Sequence, residues 1–523
     1  MSTNSASVAP PPSGNLNRQG IVVAGMTTLS RISGFVRDIV VSYFLGASAM
    51  ADAFYVAFRI PNFFRRLSAE GAFSQAFVPV LSSIRATGDR AALLRFVSVM
   101  SGHFSSVMFA VTLLGVVGAP LLVMLFAPGF WHNEAKLALT TSMLRVTFPY
   151  LGFISLTSFA AALLNSHQRY AVPAFTPVLL NVCLIAAALM PVAIFGERVI
   201  ALAWGVFVAG LVQLLFQLPS LQRLHLLVMP RLDRKHEGVR RVGRLIVPSV
   251  FAASVSQINS LVDTMIASTL ATGSISWLYY ADRLLELPIG IVAVAISTVL
   301  LPNLSRLHAR GADDGFHRTL DWGVKMSLLF SLPAALALYV LAVPLVASIF
   351  LRGALNAADV AMTALAVKMF AVGLVALTLS KVAAPAYFAR EDTRSPFRIA
   401  LVSVGTNLVL NLALFKLMGH VGLAFATSCA GIVQAYLLFR GVLARGHYRP
   451  GDGLVRFSVR VVAAVTLMVV VLAALCPADS SWLTMHDRER ALTLLGICAA
   501  GAAAYFTALF AVGLRARELR YHV

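Results

Sequence analysis

Acidic side chains are scarce in this chain: 22 Asp and Glu stand against 42 Lys and Arg, and charged residues of both signs make up only 12% of 523 positions. A soluble protein of this length carries about a quarter of its residues charged, so the soluble class is excluded. Cysteine is scarcer still. Cys183, Cys429, Cys476 and Cys498 are dispersed among apolar residues with no CxxC or CxxH spacing, which argues against a metal or redox centre. No GxxxxGK[ST] loop occurs, so ATP is not the direct energy source within this chain. Long polar segments are missing too. The longest loop, residues 222–244, is basic, and this argues against the catalytic domain that a membrane glycosyltransferase or ligase needs.

What fills the chain instead is apolar. Hydrophobic residues make up 59% of it and the mean hydropathy is +0.82, which places it among integral membrane proteins. Fourteen apolar stretches of helical length are expected, near residues 20–45, 50–83, 93–127, 137–164, 172–195, 199–220, 240–269, 275–306, 319–350, 358–388, 396–416, 420–442, 456–476 and 490–513. The loops alternate in character. Those at 85–95, 222–244, 305–318, 389–398, 440–460 and 515–523 are basic, whereas "LGASAM", "APGFWHNEAK", "ATGS" and "CPADSSW" are short or nearly uncharged. By the positive-inside rule the basic loops and both termini are expected in the cytoplasm, which an even number of spans permits. The same rule absorbs much of the net charge of +20, so nucleic acid is not implied as a partner. Residues 1–19 are Ser/Pro/Asn-rich without an apolar core and read as a disordered cytoplasmic tail, not as a signal peptide.

The two halves resemble each other. "GLVQLLFQL" (210–218) matches "GIVQAYLLFR" (431–440), and "AFSQAFVPVLSSI" (72–84) matches "AISTVLLPNLSRL" (295–307), at offsets a little over 220 positions. Six spans per repeat means both copies face the same way, related by an axis along the membrane normal. The expected fold is therefore an all-α polytopic membrane protein with two parallel six-helix lobes and a C-terminal helix pair. The N-lobe takes residues 20–221, a basic cytoplasmic linker 222–239, the C-lobe 240–443, the final pair 444–514 and a basic tail 515–523.

Several of these helices carry charges that lipid penalises by a few kcal/mol each. In "SRISGFVRDIVVSYFLG", Arg31 and Asp38 lie seven apart on one face, with Arg37 about a third of a turn away and Gly34 between the arginines. The next span adds Asp52, Arg59, Arg65, Arg66 and Glu70, and the eighth adds Asp282, Arg283 and Glu286. Arg66 with Glu70, and Asp282 or Glu286 with Arg283, have the spacing of helical ion pairs. Arg31, Arg37, Arg65 and Arg283 outnumber the acids at similar depth. Their surplus implies a phosphate- or carboxylate-bearing substrate, because a guanidinium grips such groups bidentately; snorkelling to the interface is the alternative for Arg65. Gly34 is expected to let the first helix bend. Elsewhere Asp263, Asn407, Asn411 and Thr427 offer hard oxygen ligands. They suit either a small cation such as sodium or interhelical hydrogen bonding.

"SRISGFVRD", "ADAFYVAFRIPNFFRRLSAEGAFSQAFVPVL", "WLYYADRLLELPIGI" and "VAAPAYFARED" resemble the MurJ (MviN) family of bacterial lipid II flippases, within the superfamily that includes multidrug and toxic-compound extruders. The likeness runs from about residue 20 to the C-terminus. It implies fourteen spans and translocation of lipid II, the undecaprenyl-pyrophosphate-linked peptidoglycan precursor, across the inner membrane. It also implies a substrate cavity with Arg31, Arg37, Asp52, Arg65 and Arg283, in which the arginines engage the pyrophosphate and Asp52 serves gating or charge balance. Asp38, Arg66, Glu70, Asp282 and Glu286 would be supporting charges. No organic cofactor is expected; sodium or the membrane potential would drive transport, and the peptidoglycan synthesis machinery would be the neighbouring partner. Two alternatives stand beside this reading: a flippase for another polyprenyl-pyrophosphate glycolipid, which needs the same arginines, and a cation-coupled multidrug exporter, whose cavity would favour acids.

Overall fold

The computed structural model describes residues 13–67, 73–233 and 235–515, and among them every regular element is helical. In chain order these are α1 (Ser13–Leu45), α2 (Ala49–Arg65), α3 (Phe73–Ala86), α4 (Arg90–Val117), α5 (Ala119–Phe126), α6 (Glu134–Thr147), α7 (Pro149–Ser166), α8 (Ala171–Leu189), α9 (Val192–Phe195) and α10 (Arg198–Arg223). They continue with α11 (Glu237–Ser268), α12 (Ser274–Pro288), α13 (Val294–Ala309), α14 (Asp313–Val340), α15 (Ala342–Phe350), α16 (Ala357–Phe388), α17 (Arg394–Met418), α18 (His420–Ala444), α19 (Leu454–Leu475), α20 (Asp479–Thr484) and α21 (Asp487–Ala511). All fourteen expected stretches lie on helix for most of their described length. Among the described residues, eleven spans are long and apolar enough to cross a membrane on those grounds alone. The segments outside that set are α1, α2 with α3, and α11. α2 and α3, at 17 and 14 residues, are each too short on their own, and in α1 the charges of Arg31, Arg37 and Asp38 lower the hydropathy that lipid selects for.

The chain forms two compact units. The first holds residues 57–122 and 141–253 with the described chain up to residue 40, and the second holds 41–56, 123–140 and 254–523. α1 and α2 therefore contribute to both. The core of the first unit is aromatic: Phe73 stacks on Phe104 at 4.2 Å and on Phe77 at 5.0 Å, and Phe77 reaches Phe159 at 5.1 Å. Offset rings bury large apolar area with defined geometry, and here they join α3, α4 and α7.

In the second unit α16 crosses α18 closely. A side chain at Gly373 would meet the Ser428 Cα at 2.6 Å, and the Ser428 hydroxyl donates to the Met369 carbonyl at 2.7 Å. Small residues at a crossing let backbones approach where apolar burial supplies no drive between helices. α16 begins with a capping box between Asn356 and Asp359, and Trp277 Nε1 on α12 donates to the same Asp359 carboxylate at 3.0 Å. The last helix, α21, is tied to its neighbours by polar contacts. Tyr505 Oη donates to the Leu329 carbonyl at 2.6 Å, and the buried Arg490 donates to the Ala347 carbonyl at 3.1 Å, near the C-terminal end of α15 where a cation is favoured. In the loop before α17, hydrogen bonds from the Ser395 hydroxyl and backbone N–H hold the Asp392 carboxyl down to about 2, and Arg445 adds an ion pair at 2.7 Å.

Candidate functional site

The charged stripe of α1 is a built network. Arg37 and Asp38 are both buried. Nε and Nη2 of Arg37 donate to Asp38 Oδ1 at 2.9 and 2.6 Å, while Nη1 donates to Asn181 Oδ1 on α8 at 3.1 Å. The amide of Asn181 in turn donates to the Ser30 carbonyl at 3.1 Å and to Ser33 Oγ at 2.9 Å. A buried anion is thus matched by an adjacent cation and an oriented amide, the arrangement that keeps such charges tolerable. Arg37, one of the four arginines counted as a surplus, thus has an acid partner inside the protein. Gly34 has ordinary helical backbone, and a methyl there would meet the Asn181 amide at 3.5 Å, an unstrained contact. The other arginines of the first unit are more open. Arg31 and Arg66 are exposed, Arg59 is half-buried, and the half-buried Arg65 donates from Nε to Asn62 Oδ1 at 3.1 Å. Glu70, the expected partner of Arg66, lies outside the described residues.

Asp52 begins a second network, within the second unit. Its side chain is 2% exposed and, among the described residues, meets none of the other anticipated charges; it sits at the N-terminus of α12. Oδ2 accepts from Gly273 N at 2.8 Å, and Oδ1 accepts from Ser276 N at 3.1 Å and Ser276 Oγ at 2.8 Å. Lys136 Nζ on α6 approaches Oδ2 at 3.3 Å and lies 4.2 Å from the Phe130 ring centroid. The first N–H groups of a helix lack intrahelical acceptors and carry the positive end of its dipole. Asp52 therefore caps α12 in trans, and Lys136 balances its charge. Glycine is required at 273 because φ is +98° there and a side chain would strike Trp277 at 2.7 Å.

One turn further along both helices the contact becomes aromatic. Tyr55 stacks on Tyr279 at 4.1 Å, Tyr55 Oη donates to Tyr280 Oη at 3.2 Å, and Tyr280 Oη donates to the Gly46 carbonyl at 2.6 Å. The next turn of α12 carries Arg283, whose guanidinium lies 4.9 Å from the Tyr279 centroid and pairs with Glu286 at 2.6 Å. Of the two acids spaced to pair with Arg283, Glu286 makes this contact; Asp282 is half-buried beside it.

The four hard-oxygen residues come together, on α11, α17 and α18. Asn411 Nδ2 donates to Asp263 Oδ1 at 2.7 Å and to Asn407 Oδ1 at 2.9 Å, and Asn407 Nδ2 donates to Thr427 Oγ1 at 3.2 Å. Both asparagines are fully buried, and Asn411 Oδ1 has no hydrogen-bond partner among the described residues. An orphaned amide oxygen beside a carboxylate, a second amide and a hydroxyl fits a small hard cation. Asn181, Lys136, Gly273, Ser276, Tyr55 and Tyr279 were not singled out from the sequence. The one available signal was Lys136, a single lysine in an otherwise nearly uncharged loop.

Comparison with known proteins shows the family. A family model described as Lipid II flippase MurJ matches residues 41–487. The chain is 42% identical to the probable lipid II flippase MurJ of Vibrio cholerae, over 97% of this chain and 98% of that one. It is 39% identical to the lipid II flippase MurJ of Burkholderia cenocepacia, over 96% and 98%. Among solved structures it is similar to a lipid II flippase MurJ in an inward closed conformation, with TM-score 0.79, 25% identity and coverage of 93% and 98%. A multidrug resistance MATE transporter in an inward-facing conformation shares the fold at TM-score 0.65 and 15% identity, covering 81% of this chain and 97% of that one. With the family model covering most of its length and relatives similar from end to end, the chain belongs to the MurJ family of lipid II flippases.

Proposed function

We infer that this protein is a lipid II flippase, which carries the undecaprenyl-pyrophosphate-linked peptidoglycan precursor from the inner to the outer leaflet by alternating access. The observation that carries the reading is the end-to-end likeness to lipid II flippases. It is a multi-pass membrane transporter, and we place it in the bacterial cytoplasmic membrane with the basic loops and both termini inside. On that orientation the first turns of α2 and α12, with Asp52, lie at the outer end. Arg31, Arg37 and Arg65 in the first unit and Arg283 in the second are the groups we assign to the pyrophosphate and head group. A charge-assisted contact of each contributes roughly 1.5–3 kcal/mol. The prenyl tail would follow the exposed apolar faces of α19 and α21, which include Val459, Val462, Leu492 and Leu495. The test is depletion in cells followed by assay of lipid II on each leaflet. Accumulation on the inner leaflet is expected, and unchanged translocation would overturn the reading.

A second element is ion coupling. The orphaned Asn411 Oδ1 favours a sodium ion held by Asp263, Asn407, Asn411 and Thr427, whose gradient would contribute to driving transport. Asp263→Ala is expected to abolish sodium-dependent thermal stabilisation of the purified protein. A sodium effect that survives this change would assign the four residues to helix packing alone.

A further inference from the structure

The contacts between the first half of α2 and α12 form a zipper with two different ends. On α12, Ser276, Tyr279 with Tyr280, and Arg283 recur at helical spacing and so share a face. On α2, Asp52 and Tyr55 are three residues apart, and they engage the first two of these levels. The electrostatic end is Asp52 on the α12 N-terminus, the middle is the Tyr55–Tyr279 stack at 4.1 Å, and the last member is the Arg283 guanidinium 4.9 Å from the Tyr279 ring. Arg283 is the open end. Its side chain is 28% exposed and that of its counter-ion Glu286 is 48% exposed, so their ion pair is weak and an incoming phosphate can displace it.

We propose that Tyr279 is a positioning residue that couples the Asp52 contact to the substrate affinity of Arg283. This rests on the assignment of Arg283 to the pyrophosphate. While Asp52 holds the α12 N-terminus, Tyr55 is kept against Tyr279, and the stacked ring fixes the guanidinium in one plane. An arginine so pre-organised binds an anion without first losing its own rotamer freedom. When Asp52 releases α12, Tyr55 withdraws with α2, the ring is freed and Arg283 loses its orientation. Affinity is therefore high while the Asp52 end is closed and low once it opens. Substrate is taken up at one membrane face and released at the other, with a coupling energy shared between the two sites. The coupling uses groups already in contact, and no covalent step is needed.

The experiment measures the Kd of lipid II for purified full-length protein in nanodiscs. Tyr279→Leu removes the ring and is expected to weaken binding by up to about 30-fold, the reach of a desolvated cation–π contact. Tyr279→Phe keeps the ring and is expected to retain binding, which a requirement for the hydroxyl would not explain. In an Arg283→Ala background, Tyr279→Leu is expected to add nothing. Asp52→Asn is expected to weaken binding as well, and less than additively with Tyr279→Leu. Equal affinity of Tyr279→Leu and the unmutated protein overturns the proposal, as does a Tyr279→Leu effect that persists undiminished without Arg283. Lipid II that fails to bind the unmutated protein overturns the flippase reading itself, a result distinct from either.

Discussion

Arg37→Ala is expected to lose both flippase activity and protein, and Arg37→Gln combined with Asp38→Asn to recover the protein without the activity. The reason is the pairing inside α1. Asp38 is buried against the Arg37 guanidinium, with Nε and Nη2 both donating to one carboxylate oxygen. Removing the cation alone strands that anion, which costs about 3–5 kcal/mol and is enough to lower abundance several-fold in a cell. Two amides in place of the pair remain able to hydrogen-bond each other and Asn181, and no charge is stranded. What the double variant lacks is the cation for the pyrophosphate, a loss of roughly 1.5–3 kcal/mol or about 10- to 150-fold in affinity. Arg37→Lys keeps the charge but not the planar fork, and is expected to fall between. Complementation of a depleted strain with immunoblotting of each variant separates the two effects. Full growth on the double variant at normal protein level would restrict Arg37 to a structural role.

These partners show where sequence reading stops. The helices were legible because apolar runs of spanning length have few other uses. The oxygen cluster was legible too. Asn407 and Asn411 stand one turn apart on α17, and Asp263 is an acid in an apolar helix, so each advertises an inward-facing polar group. The Arg37–Asp38 pair was not. Adjacent helical residues point about 100° apart and do not face each other; only the length of the arginine side chain lets it fold back, and Asn181, 144 positions away, fixes it there. Asp52 was recognisable as a charge out of place, but its acceptor role depends on backbone donors at positions 273 and 276, more than 220 residues distant. No side-chain pattern announces a backbone N–H, and the lysine that balances Asp52 stands in the first turn of α6, whose placement only the fold determines. Charge that the sequence showed as surplus is, at Arg37 and Arg283, partly met inside the protein.

Asp52→Ala is expected to open the end of the molecule that Asp52 closes. The change removes the acceptor of Gly273 N, Ser276 N and Ser276 Oγ and leaves Lys136 largely buried without its anion. A buried pair broken on one side costs about 3–5 kcal/mol, which shifts a two-state equilibrium by a factor of about 150 to a few thousand. The reporter is Ser274→Cys, nearly isosteric at a position 1% exposed, in a background with the four native cysteines replaced. It should resist a membrane-impermeant thiol reagent in the otherwise unmutated protein and react with it after Asp52→Ala. Asn133→Cys and Lys235→Cys set the sidedness in the same cells: external reagent should modify the first and spare the second. Adding Lys136→Met to Asp52→Ala relieves the stranded cation without rebuilding the cap. Protein level should then rise while Ser274→Cys stays reactive, because the α12 N-terminus still lacks its acceptor. If Ser274→Cys remains protected in both variants, Asp52 stabilises one end of α12 and does not hold a gate. If Asn133→Cys and Lys235→Cys label from the same side, the orientation taken from the basic loops fails.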